Sequence, residues 1–279
     1  MVKIGCVGYG GRHGEFFSRV FNQQNAFPGY HMSYVFGEDE VLTPEERQRR
    51  FFQVEHDCSS LDELIRCSDA VMILTVRGED HARYALKVIE AGKALFVDKP
   101  FTASLDEARE ITRAAEARGV PLFGGSTLRH LQKVEEIQAL MQQEDFPAVG
   151  ITYRADPESP LGAYPFYASH TAEMCVALCG PVYRQVEAVR VGKNICTLVR
   201  YDHRCALLTT SLDTQLVNVH LMGKTCRSFD LNQDLCYVDG ARKFVRMLET
   251  GVPPVPYNEF CSAVGLVEEI MEKISFPTE

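Results

Sequence analysis

Residues 2–17 read VKIGCVGYGGRHGEFF, an apolar run, a burst of glycines and then the opening of a helix. In that order the pieces suit a dinucleotide site. Glycine lets the backbone approach a pyrophosphate, and the first turn of the helix offers it free N–H groups. Gly8, Gly10 and Gly11 supply the turn. In strict G-x-G-x-x-G register the third glycine position holds His13, with Gly14 one residue later, which predicts a turn that is longer or more open than usual. Arg12 is a candidate phosphate contact or a plain surface arginine. A tight glycine turn without a ligand would read the same way. Further on, YVFGEDE ends an apolar strand and places Glu38 or Asp39 where an acid holds an adenosine ribose.

Outward from this stretch, residues 2 to about 123 alternate apolar runs with amphipathic segments, which predicts strands and helices wound into a parallel sheet. The strands are VKIGCV, HMSYVF, AVMILTV, ALFVD and VPLFG. Ser60 with Glu63 and Ser104 with Glu107 read as capping boxes, and Gly92 as a helix end. Past about residue 148 the pattern changes to VGITYRA, QVEAVRVG, ICTLVRY, CALLTTSL and VNVHLMG, with helices expected only before and after them. Strands in succession predict an antiparallel sheet. The expected fold class is therefore α/β: an N-terminal doubly wound Rossmann domain (1–123), and a C-terminal α+β domain (124–279) on a largely antiparallel open sheet. No linker, repeat or low-complexity tract separates them.

Composition narrows the function classes. The chain has 279 residues, 46% of them hydrophobic, which is ample for packed cores. Its 29 basic and 38 acidic residues leave a net charge of -9, which disfavours a nucleic-acid groove and points to a small-molecule partner. The apolar start is too short for a secretory signal and no run approaches a membrane span, so a cytoplasmic protein with neither nucleic-acid nor membrane partner is expected. Ten cysteines lie at scattered spacings without a C-x-x-C pair and read as reduced, buried small residues. No metal site is expected. Cys175 and Cys179, one helical turn apart, leave a metal or redox role as the minor alternative.

A second stretch carries more chemistry. DAVMILTVRGEDHARYALKVIEAGKALFVDKPFTASLDEAREI, residues 69–111, resembles the segment of the Gfo/Idh/MocA oxidoreductases that runs from a T-P-x-x-x-H turn through a helix ending in A-G-K to an E-K-P triplet. The matching residues are Thr75, His81, Ala91, Gly92, Lys93, Asp98, Lys99 and Pro100. HTAEMCVALCG has the spacing of the family's H-x-x-D and later glycine, through His170, Glu173 and Gly180. FVRMLETGVPPVPYNEFCSAVGLVEEIMEKI is similar to its closing helices and T-G-x-P-P turn. The resemblance implies a Rossmann domain for NAD, with NADP not excluded, a C-terminal sheet domain, and a substrate cleft between them. It also implies a homodimer or homotetramer formed on an exposed sheet face.

Lys99 lies where an apolar run stops, either as an ion neutralised by Asp98 or as a working residue. The resemblance implies the second, a lysine beside the nicotinamide and the substrate carbinol that handles the hydroxyl proton. His170 then serves as acid, base or hydrogen-bond partner. The family's aspartate four residues before it is here Phe166, which makes the pocket less polar. Tyr164 and Tyr167 could supply hydroxyls instead, or pack under a loop. Glu173 reads as a brace. Thr75, Val76, Arg77, His81 and Asp98 are expected on the cofactor side, Val76 and Arg77 replacing the usual T-P continuation. The segment from about 124 is short for the family, which implies trimmed loops and a more open cleft. The expected function is an NAD(P)-dependent oxidoreductase moving a hydride between nicotinamide and a hydroxyl or carbonyl of a sugar, polyol or related cyclic compound. The alternatives are a degenerate NAD-binding or regulatory protein, and a redox-assisted lyase or hydrolase that retains NAD.

Overall fold

A computed structural model describes residues 1–38, 43–214 and 217–275. The first half is built from β1 (Val2–Val7), α1 (His13–Ser18), β2 (Tyr30–Phe36), α2 (Pro44–Arg50), β3 (His56–Asp57), α3 (Leu61–Cys67), β4 (Ala70–Ile73), α4 (Gly78–Glu90), β5 (Ala94–Val97), α5 (Leu105–Arg118) and β6 (Leu122–Gly124). Helix α1 continues as a π-helical turn over Arg19–Gln23. All six strands run parallel in the order β3-β2-β1-β4-β5-β6. The order reverses between β1 and β4, which opens a crevice above their carboxyl ends. Every residue of β4 is buried, as expected of a strand covered on both faces.

Local chemistry explains the joints. Gly8 leaves β1 at φ +113, and a Cβ there would stand 2.7 Å from the backbone nitrogen of Thr75, so only glycine fits. Gly14 is where the ring of Phe51 packs directly onto α1. The glycine displaced by one residue thus serves helix packing. Ser104 and Glu107 form the reciprocal capping box at the start of α5. At α3 the box is displaced: Ser60 Oγ accepts from Glu63 N–H, but the Glu63 carboxylate accepts from Ser59, one residue upstream.

The second half contains α6 (Gln132–Gln143), β7 (Ala148–Arg154), α7 (Ala163–Cys179), β8 (Gln185–Val191), β9 (Asn194–Arg200), β10 (Cys205–Ser211), β11 (Val217–Met222), β12 (Cys226–Leu231), α8 (Cys236–Thr250) and α9 (Tyr257–Ser275). Its sheet has the order β12-β11-β7-β10-β9-β8. Two features differ from the sequence expectation. Helix α7 intervenes between β7 and β8, and that crossover lets β7 lie parallel to β10, while the other pairs are antiparallel. Strands β3 and β12 were not expected. The first is two residues long, and the second, CRSFDL, is mostly exposed and lacks alternation. Burial alternates along β9, β10 and β11, so one face carries the core and the other is open, with Val189, Val191 and Leu207 exposed.

The first sheet ends with β6 at Gly124 and the second begins with β7 at Ala148, but later helices serve both cores. Helix α8 places Ala241, Phe244, Val245 and Met247 in the first core. Helix α9 gives Phe260 and Val264 to that core, and Leu266, Val267 and Ile270 to the second. The Tyr257 hydroxyl fastens α9 beside β6, donating to Val120 O at 3.2 Å and accepting from Leu122 N–H at 3.1 Å. Among the described residues no helix is long and apolar enough to cross a membrane.

Candidate functional site

The crevice at the strand reversal widens into a cleft of about 650 Å³ between the two halves. The glycine turn contributes Gly10, Gly11, Arg12 and His13, the segment after β4 contributes Val76, and the end of β5 contributes Asp98 and Lys99. From the other side α7 presents Phe166, Tyr167 and His170, β7 presents Tyr153, and Tyr237 comes from the start of α8.

Lys99 is 3% exposed, and the Lys99–Pro100 peptide is cis. Burial pushes its ammonium down to about 7, against the opposing pull of Asp98 and Glu173. Its Nζ stands 3.0 Å from the centre of the Phe166 ring. A π face therefore meets the cation where the resembling family has a carboxylate. The Asp98 carboxylate is also buried and pairs through Oδ2 with Nδ1 of His13. Burial raises the Asp98 pKa, but His13 and Lys99 outweigh it and leave the group below its ordinary range. Oδ1 of Asp98 makes no hydrogen bond, and neither does the buried Oγ1 of Thr75 at the end of β4.

His170 is linked to Ser126, with Nδ1 and Oγ 2.6 Å apart, and its ring meets Tyr153 edge-on at 4.8 Å. Burial, then the charges of Lys99 and His13, hold His170 well below the usual imidazole range. Ser126 follows β6, and its backbone N–H donates to Glu173 Oε2 at 2.8 Å. Burial raises the Glu173 carboxyl to about 7, with Arg129 and the Ser126 N–H opposing. Arg129 also pairs with Glu259 of α9. Gly125, at φ +75, lies so close to the Glu173 carboxylate that a Cβ would collide with it. Glu173 is thus a brace that fixes the turn carrying Ser126.

Several expected residues lie elsewhere. His81 is fully buried, with Nδ1 3.2 Å from Phe101 O and Nε2 3.0 Å from Thr75 O, so it ties two loops together and does not line the cleft. Tyr164 is core, not cleft, because its position on α7 faces the second sheet. Arg77 is exposed beside Glu79 at the start of α4 and does not line the cleft. Glu38 also lies outside it: its carboxylate accepts from Arg83 at 3.1 Å and Tyr84 at 3.3 Å across a separate cavity of about 310 Å³. Asp39 falls outside the described residues. Gly8 and Thr75 meet each other beneath the cleft floor. Sequence reasoning missed Ser126, Tyr153 and Tyr237. Ser126 carried a signal as a helix-capping serine directly after a strand, whereas the other two are brought in by tertiary packing alone.

Comparison with known proteins agrees with this fold. Residues 2–126 match the Gfo/Idh/MocA family model, described as an oxidoreductase family with an NAD-binding Rossmann fold. The uncharacterized oxidoreductase YhhX of Escherichia coli (strain K12) is 30% identical over 102 residues, a match that covers 36% of this chain and only 28% of that protein. Among solved structures, GenD2 from gentamicin A biosynthesis, in complex with NAD, superposes with a TM-score of 0.83 over 99% of this chain and 95% of its own, at 19% identity. Apo scyllo-inositol dehydrogenase from Lactobacillus casei gives 0.82 over 99% and 96%, at 14% identity. A probable dehydrogenase from Thermotoga maritima gives 0.82 over 98% and 97%, at 15% identity. At these identities the likeness is one of fold.

Proposed function

We propose that this chain, whose residues 2–126 match the Gfo/Idh/MocA oxidoreductase family model, is an NAD(P)-dependent dehydrogenase or reductase acting on a hydroxyl or carbonyl of a sugar, polyol or related cyclic compound. The observation that carries this is Lys99: a buried amine near neutrality at the end of β5, between the glycine turn and His170. A general acid–base catalyst works best with a pKa close to the operating pH. Two features fit a dinucleotide: a turn at Gly8 and Gly11 with positive φ, and a buried oxygen of a cleft residue, Asp98 Oδ1, without a partner. Gly10, Gly11, Arg12, His13, Val76 and Asp98 would hold it. When bound, its nicotinamide supplies the hydride acceptor or donor. In oxidation, neutral Lys99 takes the hydroxyl proton as the C–H hydride leaves. In reduction, its ammonium returns that proton to the carbonyl oxygen. Phe166 and Tyr167 offer ring faces against which the C–H face of a sugar packs. The open face of the second sheet, with Val189, Val191 and Leu207, is the surface proposed for a homo-oligomer.

One observation favours a second reading. The Phe166 ring covers the Lys99 ammonium, as it would in an NAD-binding protein that has lost turnover. Reduced-nicotinamide absorbance decides between them, read with purified protein, added NAD or NADP, and a panel of polyols and keto-sugars. Net change with at least one substrate is expected. Cofactor binding without turnover on any panel member would favour the second reading.

A further inference from the structure

We propose that Ser126 is a positioning residue whose hydroxyl donates to His170 Nδ1 and so holds the neutral ring with its proton on Nε2, facing the cleft as a hydrogen-bond donor to the substrate oxygen. The argument is one of accounting for a buried proton. Ser126 is fully buried, so its O–H cannot turn to water. Its Oγ already accepts the N–H of Leu128 at 3.3 Å, capping the 3-10 turn over Thr127–His130. Among the described residues the acceptor in reach of the hydroxyl proton is His170 Nδ1, at 2.6 Å. A proton on Nδ1 instead would leave that buried hydroxyl without an acceptor, an unpaired donor in the interior.

The surroundings keep the ring neutral and still. Lys99 and His13 face it with their charges, and Tyr153 fixes its plane from β7. Ser126 is held at both ends: Glu173 accepts its backbone N–H, and the Leu128 N–H anchors its Oγ. In this chain Phe166 stands four residues before His170, so no carboxylate at that position selects the tautomer. A ring protonated on Nε2 cannot also accept a proton there, which leaves Lys99 as the proton acceptor and His170 as a donor to the developing oxyanion. That catalytic role rests on the oxidoreductase reading above; the tautomer does not.

Long-range proton–nitrogen NMR spectra of 15N-histidine-labelled protein at pH 7 report the tautomer directly, the His170 signals being identified by their loss in His170→Gln. The wild type should show Nε2 protonated and Nδ1 bare. Protonated Nδ1, or an imidazolium, overturns the proposal. Ser126→Ala should move His170 toward mixed tautomers and Ser126→Thr should restore the wild-type pattern, each variant being checked by thermal melting. An unchanged pattern in a folded Ser126→Ala also overturns it, and if that variant fails to fold the wild-type spectrum alone decides. A wild type that turns over no panel substrate counts against the oxidoreductase reading and leaves the tautomer result standing.

Discussion

The Lys99 ammonium rests on the face of the Phe166 ring, 3.0 Å from its centre, with no carboxylate within ion-pairing distance among the described residues. The ring favours the charged amine, while burial disfavours it. Phe166 thereby joins Asp98 and Glu173 in opposing the effect of burial on Lys99. Phe166→Leu should move the Lys99 limb of the pH–kcat/KM profile down by about one unit, since a desolvated cation–π contact is worth roughly 1–2 kcal/mol. Phe166→Asp should move it up, and should weaken binding of the native substrate by placing a charge in an apolar wall. A profile indifferent to both changes would show that the contact does not tune the amine.

Lys99→Ala should abolish turnover and leave NAD(H) affinity within a few fold, because its assigned work is on the substrate proton. Calorimetric titration and steady-state rates read the two effects separately. Equal turnover in variant and wild type would return Lys99 to a purely structural role.

The same lysine predicts a pH-dependent stability. Unfolded, it keeps its proton up to about its ordinary value of 10.5, and folded only to about 7. Between those values unfolding takes up a proton, so stability rises with pH, and below 7 the whole penalty of burying the charge is present. Lys99→Met should stabilise by several kcal/mol at pH 6 and by roughly half as much at pH 9. Denaturant melts at the two pH values check this. An equal gain at both would place the titration elsewhere.

Glu38 and Arg83 predict a cofactor preference. Glu38 lines the separate cavity at the end of β2, and an adenosine ribose reaching that cavity would set a 2′-phosphate against its carboxylate, so NAD(H) should bind more tightly than NADP(H). Glu38→Ala releases Arg83 to meet a phosphate and should narrow or reverse that preference. Tighter NADP(H) binding by the wild type would shift attention to Arg12 as the phosphate partner.

Gly125→Ala should destabilise the protein by at least about 2 kcal/mol, since it adds left-handed strain to a collision with the buried Glu173 carboxylate. It should also disturb the His170 signals, because Ser126 is the next residue. A wild-type melting temperature in this variant would show that the turn yields.

The parts of the fold legible in the sequence are those specified locally. β4 and β5 are continuous apolar runs, β1 is broken only by Lys3, and Ser104 with Glu107 marks the start of α5 without reference to anything distant. β12 was hidden because its side chains are mostly exposed, and the β7–β10 pairing because register between distant strands leaves no local trace. The candidate site divides the same way. Lys99, His170 and the glycine turn sit in recognisable spacings, whereas Tyr164 and Tyr167 read alike and are separated only by the face of α7 on which each lies. His81 misled because a histidine in a turn after a strand looks the same whether it meets a ligand or two carbonyls.

The placement of α8 and α9 bears on how the molecule can be taken apart. A fragment ending after β6 would lose Phe244, Met247 and Phe260, each fully buried against the first sheet and each contributing roughly 1.5–3 kcal/mol by its burial. It would also lose the Tyr257 hydroxyl from the edge of β6. The first-sheet half is therefore not a portable module, because its core is completed by side chains of α8 and α9. Residues 1–126 expressed alone should expose apolar surface and aggregate, whereas the whole chain should melt in one transition.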